Sequence, residues 1–240
     1  MFPLILQSRF EKSELKKRNR YIFENVKNIK SLPRGIKKEN AVILISGTSG
    51  SGKDSIIDLL PENFKRIKTC TTRSIRPSEV KNDPYIRLSI NEFQKGIQNK
   101  EFLETNLYDD NYYGSKISEI KKVSLSGNFP VLRIDPTGAK NAINILKRNS
   151  NILEGIKIIY FFVIPPSEEI IKQRIYKRDV ETVSDLRKKK IAQKNADKRF
   201  EGTVLKDLDL SKHAHFFAIN YDGELKEVVK NIVKVFKEYV

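Results

Sequence analysis

The sequence predicts an α/β fold, a parallel sheet core flanked by helices, and three observations carry that reading. A short apolar run ends in the turn Gly47-Thr48-Ser49-Gly50-Ser51-Gly52-Lys53; similar apolar runs recur with helix-compatible stretches between them; the chain closes on a segment with helically spaced apolar residues. Strand runs without polar alternation, separated by helices, are the pattern of a sheet covered on both faces.

Taken in order, residues 1 to about 40 are rich in Lys and Arg and tolerate helix, and Ser31-Leu32-Pro33-Arg34-Gly35 breaks any helix before the first strand. Residues 1–40 are therefore read as a basic N-terminal extension and 41–240 as the main domain. Strands are expected at Val42 to Ile45, Pro130 to Ile134, Ile158 to Ile164 and Phe216 to Ile219. A short helix after the glycine turn would bury Ile56, Ile57, Leu59 and Leu60. From Gly223 to Val240, the residues Leu225, Val228, Val229, Ile232, Val233 and Phe236 fall on one helical stripe among lysines and glutamates.

A chain of 240 residues supports one well-buried α/β domain with an appendage. The single cysteine, Cys70, excludes an internal disulfide, and no apolar run approaches the roughly 20 residues needed to span a bilayer. The opening Met1-Phe2-Pro3-Leu4-Ile5-Leu6 is too short for a secretory signal, and Glu11, Glu14 and Glu24 argue against a transit peptide. A cytoplasmic protein without membrane association is expected. The net charge of +16, from 46 basic and 30 acidic residues, suits either nucleic acid or a highly anionic small substrate. The basic residues are spread along the chain, and no helix-turn-helix, zinc or aromatic RNA-binding signature accompanies them. A Lys-, Asn- and Ile-rich bias accounts for the charge better than nucleic acid does, and the run Arg187-Lys188-Lys189-Lys190 reads as a solvated face.

The glycine turn fits a phosphate-binding loop at Gly47, Gly52 and Lys53. Glycines let the backbone curl so that successive N–H groups converge, the following helix adds its positive end, and the lysine reaches the outer phosphates. A flexible Gly/Ser linker is the alternative, but an apolar strand and an apolar-faced helix flank this turn. Gly47, Thr48, Ser49, Gly50, Ser51, Gly52, Lys53, Asp54 and Ser55 are accordingly the candidate nucleoside triphosphate-binding residues. Asp54 stands where the motif has a hydroxyl, which follows one place later at Ser55.

Farther on come Thr69-Cys70-Thr71-Thr72-Arg73-Ser74-Ile75-Arg76-Pro77, Asp83-Pro84-Tyr85, Glu101-Phe102-Leu103-Glu104 and Asn111-Tyr112-Tyr113-Gly114-Ser115. Arg73 and Arg76 can make fork-like contacts with a phosphate, and Tyr85 and Tyr113 can donate hydroxyls to it. Any one of these, alone, could be an exposed cation or a packing tyrosine. With the phosphate loop, and with Ile134-Asp135, Ile164-Pro165-Pro166-Ser167, Arg174, Arg178 and Asn220-Tyr221-Asp222, the ordered series resembles the guanylate kinases over about residues 41 to 240.

The resemblance implies a P-loop kinase with a small nucleotide-monophosphate-binding domain, about 70–125, and a lid, about 174–195. The implied reaction moves the γ-phosphoryl group of ATP to GMP, giving ADP and GDP, with Mg2+ as cofactor. It assigns Arg73, Arg76, Tyr85 and Tyr113 to the GMP phosphate, and Glu104, with Thr69 and Ser115, to the base. A carboxylate suits guanine, whose N1–H and exocyclic amine are adjacent donors. Asp135 also matches an acceptor position. Lys53, Arg174 and Arg178 are the implied catalytic cations; Asp54, an oxygen donor in place of the usual hydroxyl, and Ser55 are the candidate magnesium ligands. The acceptor oxygen is already anionic, so no strong base is needed and positive charge must do most of the work.

Four positions depart from the family: Asp54; Arg133, where an acidic residue is usual; Asp179, at a usual glycine; and Lys189, where arginine is common. The Gly52-Lys53-Asp54 sequence is similar to that of ribose 1,5-bisphosphate phosphokinase, which keeps that activity open as an alternative. A non-catalytic guanylate-kinase-like interaction module is another. No partner is assigned to residues 1–40.

Overall fold

The computed structural model describes residues 22–24, 30, 32–75, 79–80, 83–108, 110–148, 155–181 and 183–240. Residues 1–21 and Arg76 lie outside the described residues. The first elements in chain order are β1 (Ile22–Glu24), β2 (Ala41–Gly47), α1 (Lys53–Asp58), β3 (Phe64–Arg66), β4 (Thr69–Thr71) and β5 (Tyr85–Arg87). Next are α2 (Ile90–Gln98), β6 (Phe102–Tyr108), β7 (Asn111–Lys116), α3 (Ile117–Leu125), β8 (Phe129–Arg133) and α4 (Pro136–Arg148). The chain ends with β9 (Lys157–Ile164), α5 (Glu168–Tyr176), α6 (Leu186–Arg199), α7 (Leu205–Leu210), β10 (Phe216–Ile219) and α8 (Leu225–Lys237).

The four predicted apolar runs become β2, β8, β9 and β10. They belong to one six-stranded sheet in the order β1-β10-β9-β2-β8-β3. β10 runs parallel to β9 and β3 parallel to β8. β2 is buried at every residue and β9 at all but its first, as a sheet covered on both faces requires.

The helix-tolerant reading of the N-terminal extension gives way at β1, which pairs antiparallel with β10, Ile22 opposite Ala218. Strand β10 would otherwise present unpaired backbone groups along that side, and Ile22 and its neighbours supply partners for them. A second correction concerns α1. Ile56 and Ile57 are buried as expected, but the helix ends at Asp58 and Leu59 is 45% exposed.

The chain divides into two compact units. One comprises Ile45–Leu60 and Tyr160–Glu238, with the described part of the first 33 residues. Its core includes Phe161 stacked on Phe216 with ring centroids 5.0 Å apart, and the buried stripe Val228, Val229, Ile232 and Phe236 of α8. Ser167 and Asp185 accept backbone N–H bonds from Ile170 and Lys188, which fixes where α5 and α6 begin.

The other unit comprises Arg34–Leu44 and Pro61–Ile159, with Tyr239–Val240. It carries a four-stranded sheet in the order β5-β4-β7-β6. Under that sheet lie Cys70, Phe93 and Phe102, with Ile86, Leu88 and Tyr112 packed against them. Phe93, from α2, stacks on Phe102 at 4.6 Å and on Tyr112 at 5.2 Å. A reciprocal Ser89–Glu92 capping box sets the start of α2 and so the depth of that ring. Among the described residues no helix is long and apolar enough to cross a membrane.

Candidate functional site

Each unit contains one of the two predicted constellations. In the first, β2 delivers the chain to Gly47, where a Cβ would stand 2.3 Å from the Val163 carbonyl oxygen. Only glycine lets the turn leave the sheet that close to β9. The loop then takes left-handed backbone at Gly50 (φ +74°) and at Gly52 (φ +81°), the residue before α1. A side chain at Gly52 would also meet Asn220 Nδ2 at 2.3 Å. That amide donates to the Ser51 carbonyl at 2.8 Å, holding the loop from outside.

Lys53 folds back over the loop, its Nζ donating to the carbonyls of Gly47 at 3.2 Å and Thr48 at 3.1 Å. The hydroxyls of Thr48 and Ser51 are buried without a hydrogen-bond partner among the described residues. Buried hydroxyls left this way cost free energy and are satisfied when a ligand or water supplies a partner. Asp54 is half-buried in the first turn of α1, where its charge complements the helix end, and Ser55 is exposed.

The two predicted lid arginines behave differently. Arg174, on α5, donates from Nε to Asp222 Oδ1 at 3.1 Å and from Nη2 to the Asn220 carbonyl at 3.0 Å. A second, short bond joins Nη2 to Asp222, and Nη1 lies 3.4 and 3.5 Å from the carbonyls of Gly50 and Ser51. In this arrangement Arg174 braces the loop. Arg178 lies in the widened helical turn Lys177–Glu181 and pairs with its neighbour Asp179 at 2.6 and 3.0 Å, with Ser49 Oγ 3.5 Å away. The Asp179 carboxylate raises the Arg178 pKa further, and Asp54 acts in the same direction more weakly.

In the second unit, β6 and β7 set Glu104 opposite Ser115, at an irregularity between Phe102 and Glu104. The Ser115 hydroxyl donates to Glu104 Oε1 at 2.7 Å. Glu104 is only 3% exposed, and burial pushes its carboxyl from 4.5 up to about 7, with the Asp135 charge adding to the rise. Asp135 precedes α4 and accepts from the backbone N–H groups of Thr137 at 2.8 Å and Gly138 at 3.0 Å. Its other oxygen accepts from Asn106 Nδ2 at 3.2 Å. At Gly138 a Cβ would stand 2.9 Å from Glu104 Oε2, so glycine keeps the space beside the carboxylate clear. Thr69 is half-buried on β4, paired in register with Tyr85.

Arg73 lies over the Tyr85 ring at 5.5 Å, and Tyr85 meets Tyr113 edge-on at 6.1 Å. Burial, the largest single influence, lowers the Arg73 pKa, but the Glu79 carboxylate and then the Tyr113 phenol outweigh it and leave the group raised. The structure thus gathers Glu104, Ser115 and Asp135 into one cluster and Arg73, Tyr85 and Tyr113 into another on the same sheet. Sequence reasoning missed Asn106 and Gly138 beside the carboxylates, Glu79 and Arg87 beside Arg73, and the bracing role of Asn220 and Asp222. Only the last two carried a signal, as part of the closing Asn220-Tyr221-Asp222 triplet.

A strand ending in a glycine loop with a folded-back lysine, in a parallel α/β sheet, defines the class of P-loop phosphotransferases. Comparison with known proteins narrows the class. The guanylate kinase family model matches residues 38–233. Guanylate kinase of Mycoplasmopsis pulmonis (strain UAB CTIP) is 37% identical over 205 residues, which span 83% of this chain and 96% of that protein. That of Mesomycoplasma hyopneumoniae (strain 7448) is 39% identical over 149 residues, 60% of this chain and 74% of that one. The crystal structure of guanylate kinase from Anaplasma phagocytophilum shares the fold, with a TM-score of 0.55 at 19% identity over 82% of this chain and 85% of the other. The chain belongs to the guanylate kinase family.

Proposed function

We propose that the protein transfers the γ-phosphoryl group of ATP to GMP. The observation that carries the choice of acceptor is the buried Glu104, held by Ser115 with Asp135 and Gly138 beside it. An ionised carboxylate there pairs with the two adjacent donors of guanine, and adenine would leave it unpaired. Arg73, Tyr85 and Tyr113, with Arg76, take the acceptor phosphate.

Lys53 exchanges its two carbonyl partners for oxygens of the β and γ phosphates, and the buried Thr48 and Ser51 hydroxyls gain acceptors. Arg178 exchanges Asp179 for the transferring phosphoryl group, where a cation in this enzyme class is worth about 10³ to 10⁵ in rate. Arg174 acts at the same site through the loop it braces.

Magnesium fits this chain as a nucleotide-borne ion. Among the described residues no group of three or more His, Cys, Asp and Glu side chains could form a metal cage. Mg2+ bound with nucleotide characteristically takes one or two protein oxygens, the rest coming from phosphates and water. Asp54 and Ser55 would supply them, and the ion, when bound, would neutralise phosphate charge. The cytoplasm is the compartment we assign, on the support of the single cysteine, Cys70, which is buried as a free thiol.

A coupled ADP-release assay with MgATP and a panel of GMP, dGMP, AMP and ribose 1,5-bisphosphate tests the reading. Stimulation should be strongest with GMP. A panel in which ribose 1,5-bisphosphate stimulates and GMP does not would overturn it.

A further inference from the structure

Among the described residues, a dense set of interlocked charges lies around Arg87, at the end of β5. Its guanidinium donates from Nε to Asp83 Oδ2 at 2.8 Å and from Nη2 to Asp83 Oδ1 at 2.8 Å and Glu79 Oε2 at 2.7 Å. From Nη1 it donates to the backbone carbonyl of Arg73 at 2.6 Å. The same guanidinium lies 5.0 Å from the centre of the Tyr85 ring, whose centre is 5.5 Å from the Arg73 guanidinium. Asp83 in turn accepts from the backbone N–H of Tyr85 at 3.0 Å. One side chain therefore touches the backbone of Arg73, the ring of Tyr85 and the turn that leads into Tyr85.

Glu79 closes the set. Its Oε1 accepts from Arg73 Nη2 at 2.6 Å while its Oε2 is held by Arg87. The side chains of Arg73, Glu79 and Arg87 are 13%, 14% and 24% exposed, so water screens these pairs less than it does surface ion pairs. A phosphate arriving at Arg73 meets a carboxylate already on that guanidinium. Both are acceptors of the same planar fork, and two anions on one cation repel each other. The carboxylate must therefore be held back for the phosphate to take the fork.

We propose that Arg87 is a positioning residue for the acceptor phosphate: it retains Glu79 by its second oxygen and fixes Arg73 and Tyr85 around the place the phosphate takes. Glu79 is the anion that phosphate displaces from Arg73. This rests on the reading of Arg73 and Tyr85 as acceptor-phosphate ligands, and the assay below separates the two ideas. With Arg87 gone, Glu79 Oε2 loses the guanidinium that draws it away from Arg73, and the carboxylate competes more strongly with the phosphate for the Arg73 fork. Removing the Glu79 charge then relieves the competition, whereas a merely structural loop would be loosened further by a second loss.

The experiment compares the intact enzyme with Arg87→Met, Arg87→Lys, Glu79→Gln and the Arg87→Met/Glu79→Gln double variant. The readouts are KM for GMP, KM for ATP, kcat, and guanosine binding by calorimetry. Arg87→Met should raise the GMP KM about tenfold, the factor equivalent to about 1.4 kcal/mol. KM for ATP and affinity for guanosine, which lacks the phosphate, should not move. Arg87→Lys, a cation without the fork, should fall between, and the double variant should recover most of the GMP KM. A GMP KM within twofold of the parent, equal loss of guanosine binding, or a double variant worse than Arg87→Met overturns the inference. Absence of GMP turnover by the unaltered enzyme would instead sink the acceptor assignment itself.

Discussion

In the proposed function the donor loop and the acceptor sheet solve the same problem, holding anions, with different materials. Around Lys53 the shape is set by backbone: left-handed Gly50 and Gly52, the close approach of Gly47 to β9, and carbonyls held by Asn220 and Arg174. On the acceptor side the shape is set by side-chain charge: Glu104 with Ser115, and Arg73 and Arg87 sharing Glu79. Backbone N–H groups suit a ligand part common to all nucleotides, since every triphosphate presents the same oxygens. A site that must tell one base from another needs groups whose donors and acceptors differ. Damage to the first region should therefore remove catalysis without changing preference, and damage to the second should change preference first.

The largest effect expected from breaking that contrast is at Lys53. Lys53→Met removes the cation proposed for the β and γ phosphates and should lower kcat by about 10³, with the GMP-to-AMP preference unchanged. Gly52→Ala should act through ATP instead. Its φ of +81° strains any L side chain and its Cβ would strike Asn220, so the expected result is a raised ATP KM in initial-rate measurements. A changed acceptor preference in either variant would dissolve the distinction.

Glu104→Gln is the counterpart on the other side. It exchanges two charge-assisted bonds for one neutral bond and one donor facing a donor, and should cut the GMP-to-AMP preference in kcat/KM by about 10³ while leaving the ATP KM alone. Acid should have a milder effect through the same group. With its carboxyl raised from 4.5 to about 7, the folded ligand-free protein holds a proton on Glu104 that the unfolded chain releases. This favours the folded state at low pH, and the contribution is lost as pH rises through about 7. Guanine needs the carboxylate, so base affinity changes in the opposite sense and falls about tenfold per pH unit below 7. Guanosine is the probe to titrate, because a nucleotide phosphate itself protonates near pH 6. A flat guanosine profile in the parent protein, matching that of Glu104→Gln, would contradict this account.

How much of this was legible beforehand follows the same division. The phosphate loop could be read residue by residue because its demands are local: glycine where the backbone turns left-handed, lysine at the helix start, an apolar strand before it. The four core strands were legible because a strand buried on both faces has no polar alternation. Glu104 and Arg73 were legible only through the ordered resemblance, since a lone glutamate on a strand looks ordinary until burial is known. Asp135 was legible in the same way, whereas Asn106 and Gly138 beside it, and Glu79 and Arg87 beside Arg73, occupy positions that only the fold brings together. Leu59 failed for a local reason, because helical spacing does not say where a helix stops. Ile22–Glu24 failed because a three-residue edge strand owes its pairing to the exposed side of β10 and carries no period of its own.

The smallest expected effect probes where backbone and charge meet, at Arg178. Its fork rests on Asp179, beside the loop hydroxyl of Ser49, so in the proposed mechanism phosphoryl transfer first detaches the guanidinium from its own neighbour. Arg178 is 52% exposed in its side chain, which limits the pair to the strength of a solvent-screened contact, at most about 1 kcal/mol. Asp179→Gly should then raise kcat by no more than about fivefold. Asp54→Ser, acting on Arg178 only at longer range, should preserve or slightly raise it. Single-turnover rates at saturating ATP and GMP measure both. If Asp179→Gly instead slows transfer, the carboxylate holds Arg178 beside the loop, and the acidic residue at this position assists the cation rather than competing for it.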